Sequence, residues 1–427
     1  MQMGKRNFLL IFVFSLIVRI LFFPLIYNNP QRLLEPDSFG YIKLAESLIT
    51  SFEFNSIFRT PGYPVFIALI FSLAGKSLQA IVLMQCILDS ITSIFVVLIC
   101  LRITNNKTYS FIAGFLYLIN PFTIYYSYMI LTETAFTFVF VIAIYCLILF
   151  VQSNNSKMLI LSSFLLGMSV LIRPAAQYLP IILTIFLFLL DIPLRKIFVN
   201  TIIFLSIFYF ILMPWYLRNL YQYQYWTLST IKDITIFYYE APAALMMRTN
   251  PLIFFKHNIN NDLNEMQQYL FEKTKIKYNW AENYKEVNHD IHKLRTLNEE
   301  GKIVIKENLP HVLLVHLIGI VRTLFPFYPD IGRLIGKDVN FLKIIFVAID
   351  CIIMALAVLG FLNFITKLRD FKYYKIVVLL ILLIFYYSFL PGVMAYARFR
   401  VPIIPYVSIF TLFGINFISN LSLKTAK

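Results

Sequence analysis

Charge is what this sequence has least of. Only 14% of its 427 residues are Asp, Glu, Lys or Arg, against roughly 25% in a soluble globular chain. That scarcity excludes a soluble enzyme, a disordered chain and a coiled coil, all of which need polar surface. Cysteine is also sparse: Cys86, Cys100, Cys146 and Cys351 are the four. All lie inside apolar blocks without metal-ligand spacing, as small hydrophobes do. A secreted disulfide scaffold is excluded too. The net charge of +15 has no basic soluble domain to sit on, which argues against nucleic acid. No repeat relates the two halves of the chain.

What is present is apolar sequence in long blocks. Hydrophobic residues make up 59% of the chain, and about 20 consecutive apolar residues span a bilayer as a helix. Candidate spans are 8–26, 78–101, 109–126, 131–151, 158–172, 176–190, 197–217, 341–365, 376–390 and 401–417. The first resembles a signal peptide but is long and lacks a small-residue cleavage site, so it reads as an uncleaved span. Segments 61–74 and 311–327 read as partial or re-entrant. About ten full spans and two partial ones follow.

Between Arg218 and Leu309 the chain turns polar. This stretch holds Asp233, Asp262, Asp290 and eight glutamates, half of the 22 acids of the chain. It reads as a solvent-facing insertion, helical in its second half. The expected organisation is thus a transmembrane module over 1–217 with its first outer loop at 27–77, an insertion over 218–309 and a C-terminal transmembrane segment over 310–427.

Positive charge orients this arrangement. With the N-terminus inside, the Lys- and Arg-bearing loops 102–107, 153–157 and 191–196 fall inside. So do the cluster Lys367, Arg369, Lys372 and Lys375 and the tail with Lys424 and Lys427. Both termini are then cytoplasmic, and the insertion lies outside.

The outer side then collects an unusual set: Glu35, Asp37, Tyr41 and Arg59 in the first loop, Glu133 and Arg173 at later turns, Arg218 at the end of a span, and Arg398 and Arg400 in the last outer loop. Arg forks grip phosphate oxygens in bidentate fashion, and a carboxylate can act as general base on a hydroxyl. Plainer roles fit the same residues. Asp37 could cap the helical pattern 38–49, and Glu133 could serve the dipole of its helix. Arg173, before Pro174, could satisfy the carbonyls of a broken helix, and Arg398 and Arg400 could snorkel. Arg19, near the outer end of the first span, could snorkel outward. His289 and His292 lack a third ligand and read as a solvated helix face.

The chain resembles the bacterial GT-C glycosyltransferases of the protein O-mannosyltransferase and aminoarabinose-transferase type, including their galacturonosyltransferase relatives. The likeness is carried by Arg19, by Glu35-Pro36-Asp37-Ser38-Phe39-Gly40-Tyr41, and by Arg59-Thr60-Pro61-Gly62-Tyr63-Pro64. Asn120-Pro121-Phe122, Thr132-Glu133-Thr134, Leu171-Ile172-Arg173-Pro174, Pro214-Trp215-Tyr216-Leu217-Arg218-Asn219 and Arg398-Phe399-Arg400-Val401-Pro402 complete it. The resemblance implies an all-α polytopic membrane protein of GT-C type. It would have about 10–12 helices, interfacial helices in the first outer loop and a mostly helical outer insertion.

The resemblance also implies a polyprenyl-phosphate sugar donor and inverting transfer at the outer face of the inner membrane. Asp37 would be the base and Glu133 a second acid. Arg59, Arg173, Arg398 and Arg400 would bind the donor phosphate, and Glu35, Tyr41, Tyr63 and Arg218 would position substrate. Relatives often carry two adjacent acids in this loop, whereas Ser38 follows Asp37 here. Some bind a divalent cation, but no matching His ligand is present. The acceptor stays open between lipid, glycan and protein. Rival readings are a ligase or polymerase using a diphosphate-linked donor, a flippase or transporter, and a non-catalytic scaffold. Polar groups gathered at one surface, without repeated halves, weigh against transport.

Overall fold

The computed structural model describes residues 4–27, 29–255, 259–281, 287, 290–325, 340–366 and 374–425. Among these every regular element is a helix. Five are long and apolar enough to cross a membrane: Leu78–Thr104, Thr132–Ser153, Leu194–Tyr223, Ile344–Ile365 and Ala397–Ser419. Helices Ile291–Glu307 and Leu309–Leu324 form a further pair bent by 94°. Gly62–Ala74, Ser156–Ile172, Pro174–Phe188 and Tyr374–Phe389 are shorter apolar helices. The chain is a multi-pass, all-α membrane protein of the expected class. His289 and the cluster Lys367, Arg369 and Lys372 lie outside the described residues.

Two expected spans are broken. Region 8–26 divides into Lys5–Ile20 and Phe23–Tyr27. Region 109–126 divides into Lys107–Leu118 and Pro121–Tyr128. The second break has a clear cause: Pro121 lacks an amide hydrogen and pushes the residue before it out of the helical region. Asn120 is accordingly extended, and its side chain accepts the amides of Phe122 and Thr123. The proposed boundary at 217 falls inside a continuous helix, Leu194–Tyr223.

Paired asparagines make the tight reversals. In Asn105-Asn106 the first residue takes a left-handed conformation (φ 51°) and closes helix Leu78–Thr104, while the second caps the next helix by accepting the Tyr109 amide. Asn154-Asn155 repeats the device between Thr132–Ser153 and Ser156–Ile172. Asparagine suits both places because it tolerates the left-handed region and carries a side-chain acceptor.

Helix Thr132–Ser153 is central, with 67% of its apolar window buried. It packs between Leu78–Thr104 and Ser156–Ile172. Leu194–Tyr223, at 28%, lies at the periphery. Among its described residues the insertion forms helices in both halves, not only in the second. One small core gathers Phe237, Tyr238, Leu270, Phe271, Leu294 and Leu297. Another joins Met246, Met247 and Leu263 to Val315 and Val393, docking the insertion on the C-terminal helices.

Helices Asn340–Thr366 and Ile404–Thr425 cross where Gly360 faces Phe410 and Gly414 faces Leu356; a Cβ on either glycine would overlap the opposing carbonyl oxygen. Small residues let membrane helices approach this closely. Gly414→Val is therefore expected to cost about 1–3 kcal/mol, read as a lower midpoint of thermal unfolding in detergent. Gly4→Val, where a Cβ meets nothing within 4 Å, should leave that midpoint unchanged.

Candidate active site

The site is assembled from five separate stretches of chain. The first is the start of helix Pro36–Ser51. Glu35, not Asp37, occupies its N-cap, with Pro36 in the first turn. Ser38 Oγ accepts the Glu35 amide at 2.9 Å and donates to the Ile130 carbonyl at 2.7 Å. Ser38 is thus a tie between this helix and the turn before Glu133. With capping done by its neighbours, Asp37 is free to point elsewhere.

Asp37 faces two arginines. Its Oδ1 lies 2.7 Å from Arg59 Nη2 and its Oδ2 lies 3.0 Å from Arg398 Nη1. Arg59 also donates from Nη1 to the Tyr41 hydroxyl at 3.0 Å, and its guanidinium lies 4.5 Å from the Tyr41 ring centre. The loop carrying Arg59 is braced from several sides. Ser56 Oγ accepts the Arg59 amide at 3.1 Å. Ser229 Oγ donates to the Phe58 carbonyl at 2.5 Å, and the Thr230 amide to the Ile57 carbonyl at 3.2 Å. A Cβ at Gly62 would sit 2.8 Å from backbone atoms of Leu171 and Ile172. Only glycine lets this loop close on the turn that holds Arg173.

Glu133 lies in the first turn of helix Thr132–Ser153 and is fully buried. Arg173 Nη1 pairs with its Oε1, and Arg398 Nε lies 2.9 Å from the same oxygen. Arg173 is extended, as a residue before proline should be. Its side chain goes to Glu133 and stacks over Phe399 at 5.1 Å. An acid with two arginines is more than a dipole complement. Arg398 bridges both acids, so Arg59, Asp37, Arg398, Glu133 and Arg173 form one continuous chain of ion pairs.

Burial alone would push the Asp37 carboxyl up, but Arg398 and Arg59 outweigh it and hold it below the usual carboxylate range. Asp37 therefore stays ionised at neutral pH. The stability it contributes is present above its unfolded value and is lost only as pH falls through the lowered folded one. Burial pushes the Tyr41 phenol up, so it remains a neutral partner. Three guanidiniums against two carboxylates leave one positive charge. A divalent cation does not fit this arrangement: both acids are already engaged by arginines, whose charge would repel it. Among the described residues no group of three or more His, Cys, Asp or Glu gathers as a metal site.

Several expected site residues stand elsewhere. Arg400 is fully buried, 2.7 Å from Asp350 Oδ1 and from the Leu324 carbonyl, with its guanidinium 4.1 Å from the Phe122 ring centre. The short helix Ala397–Arg400 sends the two arginines in different directions. Arg19 does not snorkel; it is fully buried and donates from Nε to Asp89 Oδ2 at 2.6 Å. Arg218 donates to the carbonyls of Ser56 and Phe54, fastening the Arg59 loop to helix Leu194–Tyr223. Tyr63 is buried and donates to Gln85 Oε1 at 2.7 Å while packing edge-on against Tyr41. Glu35 serves as the cap. Asp89, Asp350 and the pair Glu240–His316, whose Oε2 and Nε2 are 3.1 Å apart, escaped the sequence reading. A lone ionisable residue within an apolar span was the available signal for the first two.

Residues 59–217 match the family of dolichyl-phosphate-mannose-protein mannosyltransferases. A comparison with curated protein sequences found no match. Among solved structures, the archaeal oligosaccharyltransferase AglB from Archaeoglobus fulgidus, in complex with an inhibitory peptide and a dolichol-phosphate, aligns with a TM-score of 0.55 and 13% identity over 98% of this chain. The chain spans about half of that protein, 51%. ArnT from Cupriavidus metallidurans, bound to undecaprenyl phosphate, aligns over 96% of this chain and 77% of its own with 12% identity and a TM-score of 0.39. The family match bears out the resemblance, and the AglB alignment bears out the fold expected from it.

The two neighbouring arginines should behave differently on substitution. Arg400→Gln removes the Arg400 guanidinium from buried Asp350, at a cost of about 3–5 kcal/mol. Adding Asp350→Asn should restore most of that loss. Thermal unfolding of both variants in detergent checks this; a double variant no better than the single one would refute it.

Proposed function

We propose that this chain transfers a sugar from a polyprenyl-phosphate donor to an acceptor hydroxyl at the outer face of the inner membrane, by a single inverting displacement. The observation that carries this reading is the continuous ion-pair chain from Arg59 to Arg173 through Asp37 and Glu133. The family match over residues 59–217 supports it, as does the dolichol-phosphate held by AglB. The acceptor oxygen attacks C1 of the sugar and its proton passes to Asp37. The bond from C1 to the phosphate oxygen breaks, and the electron pair leaves with the polyprenyl phosphate. Attack from the face opposite the leaving group inverts C1.

Arg59 and Arg398 are the arginines that touch Asp37, and they are assigned to the donor phosphate, where they offset charge on the leaving group. Arg173 holds Glu133, which orients Arg398. The single excess positive charge suits a sugar phosphodiester, which carries one negative charge. A diphosphate link would bring two, so the ligase reading is less well served. Arg400 drops out of the phosphate set. Glu35, Tyr63 and Arg218 act through the residues they brace. The insertion, which bonds to the Arg59 loop through Ser229 and Thr230, is assigned to the acceptor side. The acceptor is a lipid, a glycan or a protein.

The test is a mass comparison of envelope glycans and glycolipids from a deletion strain, its wild-type complement and its Asp37→Asn complement. One sugar should vanish in the deletion, return with wild type and stay absent with Asp37→Asn, a loss of about 10²–10⁴ in rate. Identical glycans in all three, with a lipid-linked precursor accumulating on one side of the deletion membrane, would replace transfer with transport.

A further inference from the structure

Arg398 alone among the site arginines touches both acids, with Nη1 on Asp37 and Nε on Glu133. Arg59 takes the other Asp37 oxygen. Both oxygens of the proposed base are therefore committed to cations, and a carboxylate so held is a poor proton acceptor. A phosphate offers oxygens that compete for the same guanidinium forks. The two contacts of Arg398 use different nitrogens, so Nη1 can leave Asp37 while Nε stays with Glu133. Glu133 is fully buried and has a second arginine, Arg173, so it is a fixed anchor. The Asp37 side chain, at 31% exposure, lies on the accessible side of the chain of pairs.

We propose that Arg398 is a phosphate-released gate on Asp37: without donor it masks the carboxylate, and the donor's phosphate draws its Nη1 away, freeing Asp37 to take the acceptor proton. This rests on the reading of Asp37 as base and Arg398 as phosphate ligand. Its consequence is an order of events. The base is armed only after the donor has bound, so an acceptor arriving first meets an occupied carboxylate. A second consequence is that Asp37 and the donor phosphate compete for one guanidinium.

The experiment measures binding of undecaprenyl phosphate to the full-length protein in lipid nanodiscs, for wild type and Asp37→Asn. Removing the competing carboxylate should tighten binding about tenfold while transfer is lost. Infrared difference spectra of the wild type, with and without undecaprenyl phosphate near pH 5, should show a protonated carboxyl band only when the lipid is bound, and Asp37→Asn should lack it. Equal or weaker binding by a folded Asp37→Asn variant, with transfer still lost, would overturn the gate and leave the base in place. If that variant does not fold, the wild-type spectra decide: no band on lipid binding overturns the gate. Failure of the wild type to bind the lipid at all would overturn both the gate and the transferase reading.

Discussion

The position of Arg398 between two carboxylates is the constraint on which the rest of the site depends. Its guanidinium must reach Asp37, in the first turn of helix Pro36–Ser51, and Glu133, at the head of the central helix. Those residues are far apart in sequence, and Arg398 lies near the end of the chain. The fold has to bring all three together at the edge of an apolar bundle, where unpaired charge is costly. Much of the local structure serves that end. Ser38 ties the Asp37 helix to the turn before Glu133, and Gly62 lets the Arg59 loop close on Leu171 and Ile172. Arg218 fastens the same loop from the other side.

Two further ion pairs lie apart from this cluster. Arg19–Asp89 and Arg400–Asp350 are buried within the helical bundle. Each guanidinium has more donors than one carboxylate can accept, and part of the surplus is taken up locally. Arg19 also donates to Ser15, and Arg400 to the Leu324 carbonyl. Tyr117 also donates to Asp89, whereas Asp37 and Glu133 each meet two arginines. At the candidate site one arginine, Arg398, is shared between two acids.

The membrane class and most helix positions were legible in the sequence because length and apolarity alone decide whether a segment spans. Asp37, Glu133, Arg59 and Arg173 were legible as polar residues stranded at turns between apolar blocks, and the structure gathers them. Arg400 was misread because Arg398 and Arg400 are two residues apart in one motif. Only the geometry of the Ala397–Arg400 turn decides which faces the acids. Asp89 and Asp350 were passed over because a single acid barely dents the apolarity of a long window; its partner lies on another helix and is invisible to any local pattern. The break at Asn120-Pro121 was written in the dipeptide, and overall apolarity hid it.

The clamping of the Arg59 loop links the insertion to the candidate site. Ser229 and Thr230, just past helix Leu194–Tyr223, bond to the carbonyls of Phe58 and Ile57. The insertion that follows packs back on Val315 and Val393, and Gly392 lies close against Glu240 and His316. That second contact is on the segment leading into Arg398. The polar insertion thus touches both arms that hold Asp37: the loop of Arg59 and the segment of Arg398. If the insertion seats the acceptor, as proposed, an acceptor there would bear on the two arginines together, which gives one chain segment a physical means of coupling acceptor choice to the charge state of Asp37, the proposed base.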